Sequence, residues 1–416
     1  MIRISAPRLV KEIGRVSMVC HIEDDKQHLA EEIYYATPAL YGDYLSYEVA
    51  DAFVVGCLLP AALYGEDIQV DGAISERLFY NLSNSVSYIL SLIYGNRIRI
   101  QASQLVNPDY NATGVGCGCS LGVDSFAAML QHFPTSIIGQ DATVPASYRI
   151  THLTYFNIGA MGYVDLQKAK LSYEKDLQRV RSFAEEVGLP VVELESNFSL
   201  LYKDLDFDAS GDVRNFSAVL ALQKLFGRYL YGSTFPMVDF RFDKGQTGYY
   251  ESVLAPLLST ESTEIIIANP DMSRIDKTRA IADNPLVQKY LYVCWKELIA
   301  NRWPHSKIAA IKDAHVNCSR CDKCKRTLLA LDLMGKLPSY QSVFDLDYWA
   351  STKDAYIAKV IYRKDESAFY KDLYNLMQEK NYRISPKAER ELRILRRKNS
   401  LLFRGLRKIK NLVRTR

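Results

Sequence analysis

The sequence predicts an α/β protein: a parallel sheet with helices on both faces, an N-terminal accessory region, and a C-terminal helical region. Three observations carry this. From about Val106, short apolar stretches alternate with longer amphipathic ones, and strands separated by helices imply parallel pairing through crossovers. Before that point the chain mixes short extended and helical stretches. After about Leu337 it becomes aromatic, charged and helical by pattern. A chain of 416 residues suggests two or three domains. The ranges read as 1–105, 106–335 and 336–416.

In the first region, Ser17 to Cys20, Phe53 to Leu59 and Arg97 to Gln101 read as extended, and Ile74 to Tyr94 as helical. In the second, Thr113 to Cys119 is small and apolar, as a buried strand is, and Asp124 to His132 follows as a helix. Ile150 to Asn157 reads as the next strand. Leu166 to Val187 has its apolar positions three and four apart, and Gly188-Leu189-Pro190 closes it as a helix stop. Val191 to Leu194 is a further strand, Ser217 to Phe226 a helix, and Tyr229 to Tyr231 a strand ending at Gly232-Ser233-Thr234. In the third region, Asp345 to Tyr362, Glu366 to Gln378 and Lys387 to Val413 read as helices.

Apolar residues make up 48% and charged residues 24%, an ordinary globular balance. The longest uncharged run, between Arg77 and Arg97, carries three Asn and four Ser, which reads as a buried helix rather than a membrane span. Met1 to Cys20 lacks the continuous apolar stretch of a secretory leader, and with eight cysteines this points to a reducing, cytoplasmic setting. The net charge of +4 is uneven: Pro386 to Arg416 holds twelve Lys/Arg and two Glu, a local +10, so the remainder sums to −6. Within this tail, Leu395, Leu402, Leu406, Ile409 and Val413 fall on one helical face. A basic amphipathic helix of this kind, over residues 387–416, meets an anionic membrane surface or RNA phosphates, or docks on the protein itself. A peripheral place at the membrane is therefore one expectation.

The strongest local chemistry lies in Ser120-Leu121-Gly122-Val123-Asp124-Ser125. An apolar strand runs into small and hydroxyl residues, and a helix starts at once. The first turn of a helix has unpaired N–H groups and a partial positive charge, and phosphate satisfies both. Gly122 lets the backbone approach an anion closely. Ser120 and Ser125 offer hydroxyls. Asp124 is explained if it holds Mg²⁺ through water, caps the helix, or both. The bland alternative is a capped strand–turn–helix with no ligand. The Walker pattern is absent.

This loop resembles the PP-loop of the ATP pyrophosphatase (adenine nucleotide alpha hydrolase-like) superfamily, whose pattern is S-G-G-x-D-S. Leu121 stands at the first Gly, leaving Ser120, Gly122, Asp124 and Ser125 in register. The resemblance implies ATP as substrate and cleavage between its α- and β-phosphates, giving AMP and pyrophosphate.

Cys318-Ser319-Arg320-Cys321-Asp322-Lys323-Cys324 places three thiols at C-x-x-C spacing. A fourth ligand from Cys294, or from His315, would complete a tetrahedral zinc site with no open position, hence a structural one. A redox disulfide, an iron–sulfur cluster and metal-free buried cysteines are the alternatives. The order Ser120–Ser125, Cys294, Cys318, Cys321, Cys324 and then Arg326 resembles 7-cyano-7-deazaguanine synthase and its relatives, over about Val106 to Gly335. That resemblance favours Cys294 as fourth ligand. It implies Zn²⁺ as structural metal and adenylation of a small acidic substrate before amide or nitrile formation. The deazaguanine substrate is not carried over.

Ser273 to Arg279 looks similar to the K-T-rich segment that closes over phosphates in this superfamily. Lys277 or Arg274 would neutralise charge on departing pyrophosphate, against a reading of the same segment as a helix N-cap. Asn157, at a strand end, sits where adenine or ribose contacts arise, and Gly232 and Ser233 are similarly placed. Gly159 and Gly162 read as a tight turn before they read as a base-contact site. His152 reads as a core histidine. A sulfur transferase acting on tRNA and a non-catalytic nucleotide-binding protein are the rival functions.

Overall fold

The computed structural model describes residues 1–26, 29–138, 143–161, 166–302, 305–306, 308 and 315–397. The chain divides into two compact units, the first spanning Met1–Met272 and the second taking most of the chain from Ser273 onward.

The first unit is a mixed α/β body on one large sheet. Its strands are β1 Ile2–Ile4, β2 Arg8–Glu12, β3 Arg15–Asp24, β4 Leu29–Pro38, β5 Ile68–Ser75, β6 Ile100–Val106, β7 Gly114–Gly118, β8 His152–Asn157, β9 Val191–Ser196, β10 Phe226–Gly232 and β11 Glu264–Ala268. The order across the sheet is β11-β10-β7-β8-β9-β4-β3-β1-β5-β6, with β2 pairing β3. From β11 to β9 every pairing is parallel. The strand-helix alternation after Val106 therefore builds one continuous parallel block. The predicted helices Asp124 to His132 and Leu166 to Val187 are observed as Val123–His132 and Leu166–Val187.

The first 105 residues are not a separate body. Strand β4 joins β9 antiparallel, with Tyr35 opposite Ser196 and Ala36 opposite Glu195. Side chains lock the seam: the Tyr34 N–H donates to Asn197 Oδ1 at 2.9 Å, and Asn197 Nδ2 donates back to the Glu32 carbonyl at 2.8 Å. Apolar residues from both sides of residue 105 share one core, Ile22, Phe53 and Leu58 with Leu194, Phe216 and Tyr229.

Phe53 to Leu59, expected extended, lies in a buried helix, Asp51–Tyr64. A helix apolar all round leaves no period to tell it from a buried strand. Pro60 stands inside it and supplies no N–H for the Gly56 carbonyl four residues back. The buried Tyr202 hydroxyl donates to that carbonyl instead, at 2.6 Å. Ser217 to Phe226, expected helical, is also corrected. The helix is Gly211–Leu220, and Phe226 opens β10.

The second unit is helical. Ser273 caps Arg274–Ile281 through a reciprocal capping box with Asp276. Asp345 caps Leu346–Tyr362 and Ser367 caps Ala368–Glu379, each accepting the N–H three residues on. Residues 386–397 are helical, with Ala388 and Leu392 buried. The rest of the basic tail, from 398, and Gly162 lie outside the described residues. Among the described residues no helix is long and apolar enough to cross a membrane.

Candidate functional site

Counted from β7, the parallel block lays β8 and β9 outward on one side. The chain then returns to add β10 and β11 on the other. The order reverses between β7 and β10, which is where open α/β sheets leave a crevice at the carboxyl ends of their strands. The Ser120 loop leaves β7 at that end, and Gly232 terminates β10 beside it.

The loop has a defined shape. Leu121 is buried and adopts a left-handed backbone, φ 57°, which costs a side-chain-bearing residue about 1–2 kcal/mol. Gly122 is the extended N-cap of the Val123–His132 helix, and Asp124 lies in its first turn. The Ser125 hydroxyl donates to the Gly118 carbonyl at 2.7 Å and accepts the Ser120 N–H at 3.1 Å. Its single proton is thus committed to the strand, and Ser125 acts as a staple shaping the loop. Ser120 is exposed, and its hydroxyl accepts the Gly122 N–H at 3.4 Å. A Cβ on Gly232 would stand 2.7 Å from the Asp124 carbonyl oxygen, so only glycine allows β10 and the loop this approach. Ser233 is buried, its hydroxyl donating to the Asn269 carbonyl at 2.7 Å.

Asn157 ends β8, half-buried. Beyond it Gly159 has φ 100°, and a Cβ there would lie 2.5 Å from the Arg214 Nη1. Arg214 is buried, its guanidinium 4.0 Å from the Tyr202 ring centroid and donating to the Ile158 carbonyl at 3.2 Å. The glycine therefore serves the arginine's passage. His152 packs its ring on Phe226, centroids 5.9 Å apart, and burial lowers its pKa.

Sequence reasoning missed a buried acid network at the end of β10. Asp212 accepts hydrogen bonds from Tyr231 Oη, at 2.7 Å, and from Thr247. Glu251 is also buried and accepts from the Thr234 backbone and hydroxyl. Burial raises the Asp212 pKa above its ordinary range. Five residues scattered from 212 to 251 leave no spacing by which a sequence could reveal them.

In the second unit, Cys294, Cys318, Cys321 and Cys324 bring their sulfurs within 4.8 Å of one another. Cys318 and Cys324 are 3.9 Å apart, Cys321 and Cys324 3.4 Å. A tetrahedral zinc with ~2.3 Å bonds sets its sulfurs about 3.8 Å apart, whereas a disulfide needs ~2.05 Å. Backbone N–H groups of Arg320 and Cys321 point at Cys318 Sγ, at 3.4 and 3.3 Å, and that of Lys296 at Cys294 Sγ, at 3.3 Å. These donors suit thiolates. Ser319 takes a left-handed turn, φ 56°, that folds the first C-x-x-C back on itself. The cluster fits a metal such as zinc, and His315 is not among its members.

No protein-family model matches this chain, and no curated protein and no solved structure matches it.

Lys277 is fully buried on the capped Arg274–Ile281 helix, and Arg274 opens that helix. The N-cap reading of Ser273 is thus met in the structure.

Proposed function

We propose that the chain is an ATP-dependent enzyme of the PP-loop class. It adenylates a small-molecule carboxylate, releasing pyrophosphate, and hands the activated acyl group to a nitrogen nucleophile as an amide or nitrile precursor. The observation that supports this most is the position of the Ser120–Ser125 loop at the reversal of strand order, leading straight into a helix N-terminus. The left-handed backbone at Leu121 adds support, because this is the position where the resembled pattern carries glycine.

In this reading the helix first-turn amides and the Ser120 hydroxyl receive phosphate oxygens. Gly232 keeps the loop close to β10, and Asn157 meets the nucleoside. Bound Mg²⁺, held by Asp124 through water, would offset polyphosphate charge. The substrate carboxylate oxygen attacks the α-phosphorus, and the bond to the pyrophosphate oxygen breaks. Ammonia then attacks the acyl carbon, and AMP leaves with the bonding electron pair. An ionised carboxylate is already a nucleophile, so no general base is required. The four cysteines hold zinc as a structural element.

The test is release of pyrophosphate from labelled ATP across a panel of carboxylic acids with ammonia. Asp124→Ala should lower turnover by at least about 10²-fold with the fold retained, in line with loss of a charge-positioning group. Undiminished turnover in that variant would remove the site assignment. No release across the panel would leave a nucleotide-binding protein. A labile disulfide in place of stoichiometric zinc would turn the reading toward sulfur transfer.

A further inference from the structure

We propose that the chain attaches to anionic lipid bilayers through an apolar loop of the first unit, residues 235–250, whose tip enters the acyl region. The inference stands apart from the nucleotide reading, since attachment requires nothing of the Ser120 loop.

The loop follows β10 and its Gly232-Ser233-Thr234 end, and it returns at the Glu251–Leu257 helix. Its neck is tied. The Thr234 backbone N–H and hydroxyl both donate to the Glu251 carboxylate, and a Cβ on Gly248 would lie 2.7 Å from the Thr234 Cβ. Thr247 donates its hydroxyl proton to buried Asp212, and its backbone N–H donates to the Asp208 carbonyl at 3.3 Å. Inside the loop the Phe235 and Tyr249 rings stack with centroids 3.9 Å apart, and Phe242 meets the buried Tyr250 ring at 5.9 Å. A surface loop with close ends and packing of its own is a compact element that keeps its shape.

What this loop holds up is apolar. Met237 is 54% exposed, Val238 89%, Phe240 41% and Phe242 38%. Large apolar side chains exposed singly are ordinary, but four within six residues make a patch. At 89% exposure Val238 stands out from the surface, so the patch is convex there. Sites for small molecules are concave, which separates this tip from a substrate pocket. A bilayer takes up a protruding apolar tip without a matching shape. The polar neighbours suit the headgroup depth. Arg241 pairs with Asp243 at 3.3 Å, and Lys244 lies 5.3 Å from the Tyr94 ring. Long cationic side chains reach water while their stems stay apolar. Asp239 and Asp243 balance Arg241 and Lys244, so the loop itself is neutral and its pull on a bilayer is apolar. The preference for anionic lipid comes from Pro386–Arg416, with its local charge of +10. An apolar insertion and a polybasic segment are the two signals that stable peripheral attachment takes.

The experiment is sedimentation of the full chain with phosphatidylcholine vesicles, with and without phosphatidylserine. Saturable binding to the anionic vesicles is expected, weaker to the neutral ones. Val238→Asp should weaken binding roughly tenfold or more, the order for one buried apolar side chain lost, with circular dichroism and zinc content unchanged. A companion variant, Val238→Trp, reports insertion directly. Its added emission should shift to shorter wavelength on vesicles and be quenched by brominated acyl chains. Binding unchanged by Val238→Asp, or an added emission that stays as in buffer while the protein is vesicle-bound, assigns attachment to the basic tail alone and overturns the proposal. Absence of binding to every vesicle overturns it as well and turns the tip toward a protein partner. ATP turnover plays no part in the readout, so failure of the enzymatic proposal leaves this one standing.

Discussion

Leu121 sets two terms against each other, and a pair of variants separates them. Its side chain is 1% exposed, and its backbone is left-handed at φ 57°. Leu121→Ala removes the buried side chain but keeps a Cβ in the unfavourable region, so it should cost about 2–5 kcal/mol. Leu121→Gly loses one more methyl group and also releases the left-handed penalty of about 1–2 kcal/mol. At an ordinary helical position glycine is about 1 kcal/mol worse than alanine. Here the order inverts, and the glycine variant should be the more stable of the two by about 1 kcal/mol. Burial still outweighs strain, so both remain below the wild type. Urea unfolding followed by far-ultraviolet circular dichroism reads the order directly. An alanine variant equal to or more stable than the glycine variant would refute the argument from left-handed strain. Leu121→Gly should also keep its ATP turnover if the loop acts as proposed, because it restores the residue type of the resembled pattern.

Tyr202→Phe should cost about 1–3 kcal/mol, because it orphans the Gly56 carbonyl that Pro60 cannot serve. Pro60→Ala restores that N–H, so the double variant should recover most of the loss in a denaturation cycle; additive effects would show that the hydroxyl is not the substitute donor. Asp212→Asn holds that buried position neutral. Burial raises the folded Asp212 pKa above 3.8, so protonated Asp212 stabilises in acid and that contribution is lost as pH rises through the raised value. The variant's unfolding free energy should match wild type in acid and exceed it progressively above pH 3.8, by up to about 1.4 kcal/mol per pH unit until the raised value is passed. A constant offset at all pH values would contradict the assignment. Cys321→Ser should lose stoichiometric zinc together with solubility, measured by atomic absorption and sedimentation; a soluble, zinc-replete variant would show that the cluster is misassigned.

What the sequence made legible was mostly local. The alternation after Val106 reports β7, its following helix and Leu166–Val187 because each is set by its own period and stop signals. The cysteine knuckle is legible because C-x-x-C spacing confines the thiols. Phe53 to Leu59 defeats the same method, since a helix buried on every side has no polar face to mark its turn. The acid network at Asp212 and the seam between Tyr35 and Ser196 were not legible either. Both join residues from separate elements, the seam across about 160 positions, and such pairing is settled by burial of the whole sheet. The tyrosine that answers Pro60 is another such case, a repair made from far along the chain.

The junction of β4 with β9 bears on how this protein can be cut. An excised piece beginning after residue 105 would bare the outer flank of β9, a row of unmet amide and carbonyl groups ready to recruit a second chain. It would also strip Tyr202 and Phe216 of the apolar partners that cover them. The first hundred residues are thus the permanent jacket of the parallel block, and the smallest inheritable piece is the sheet as a whole.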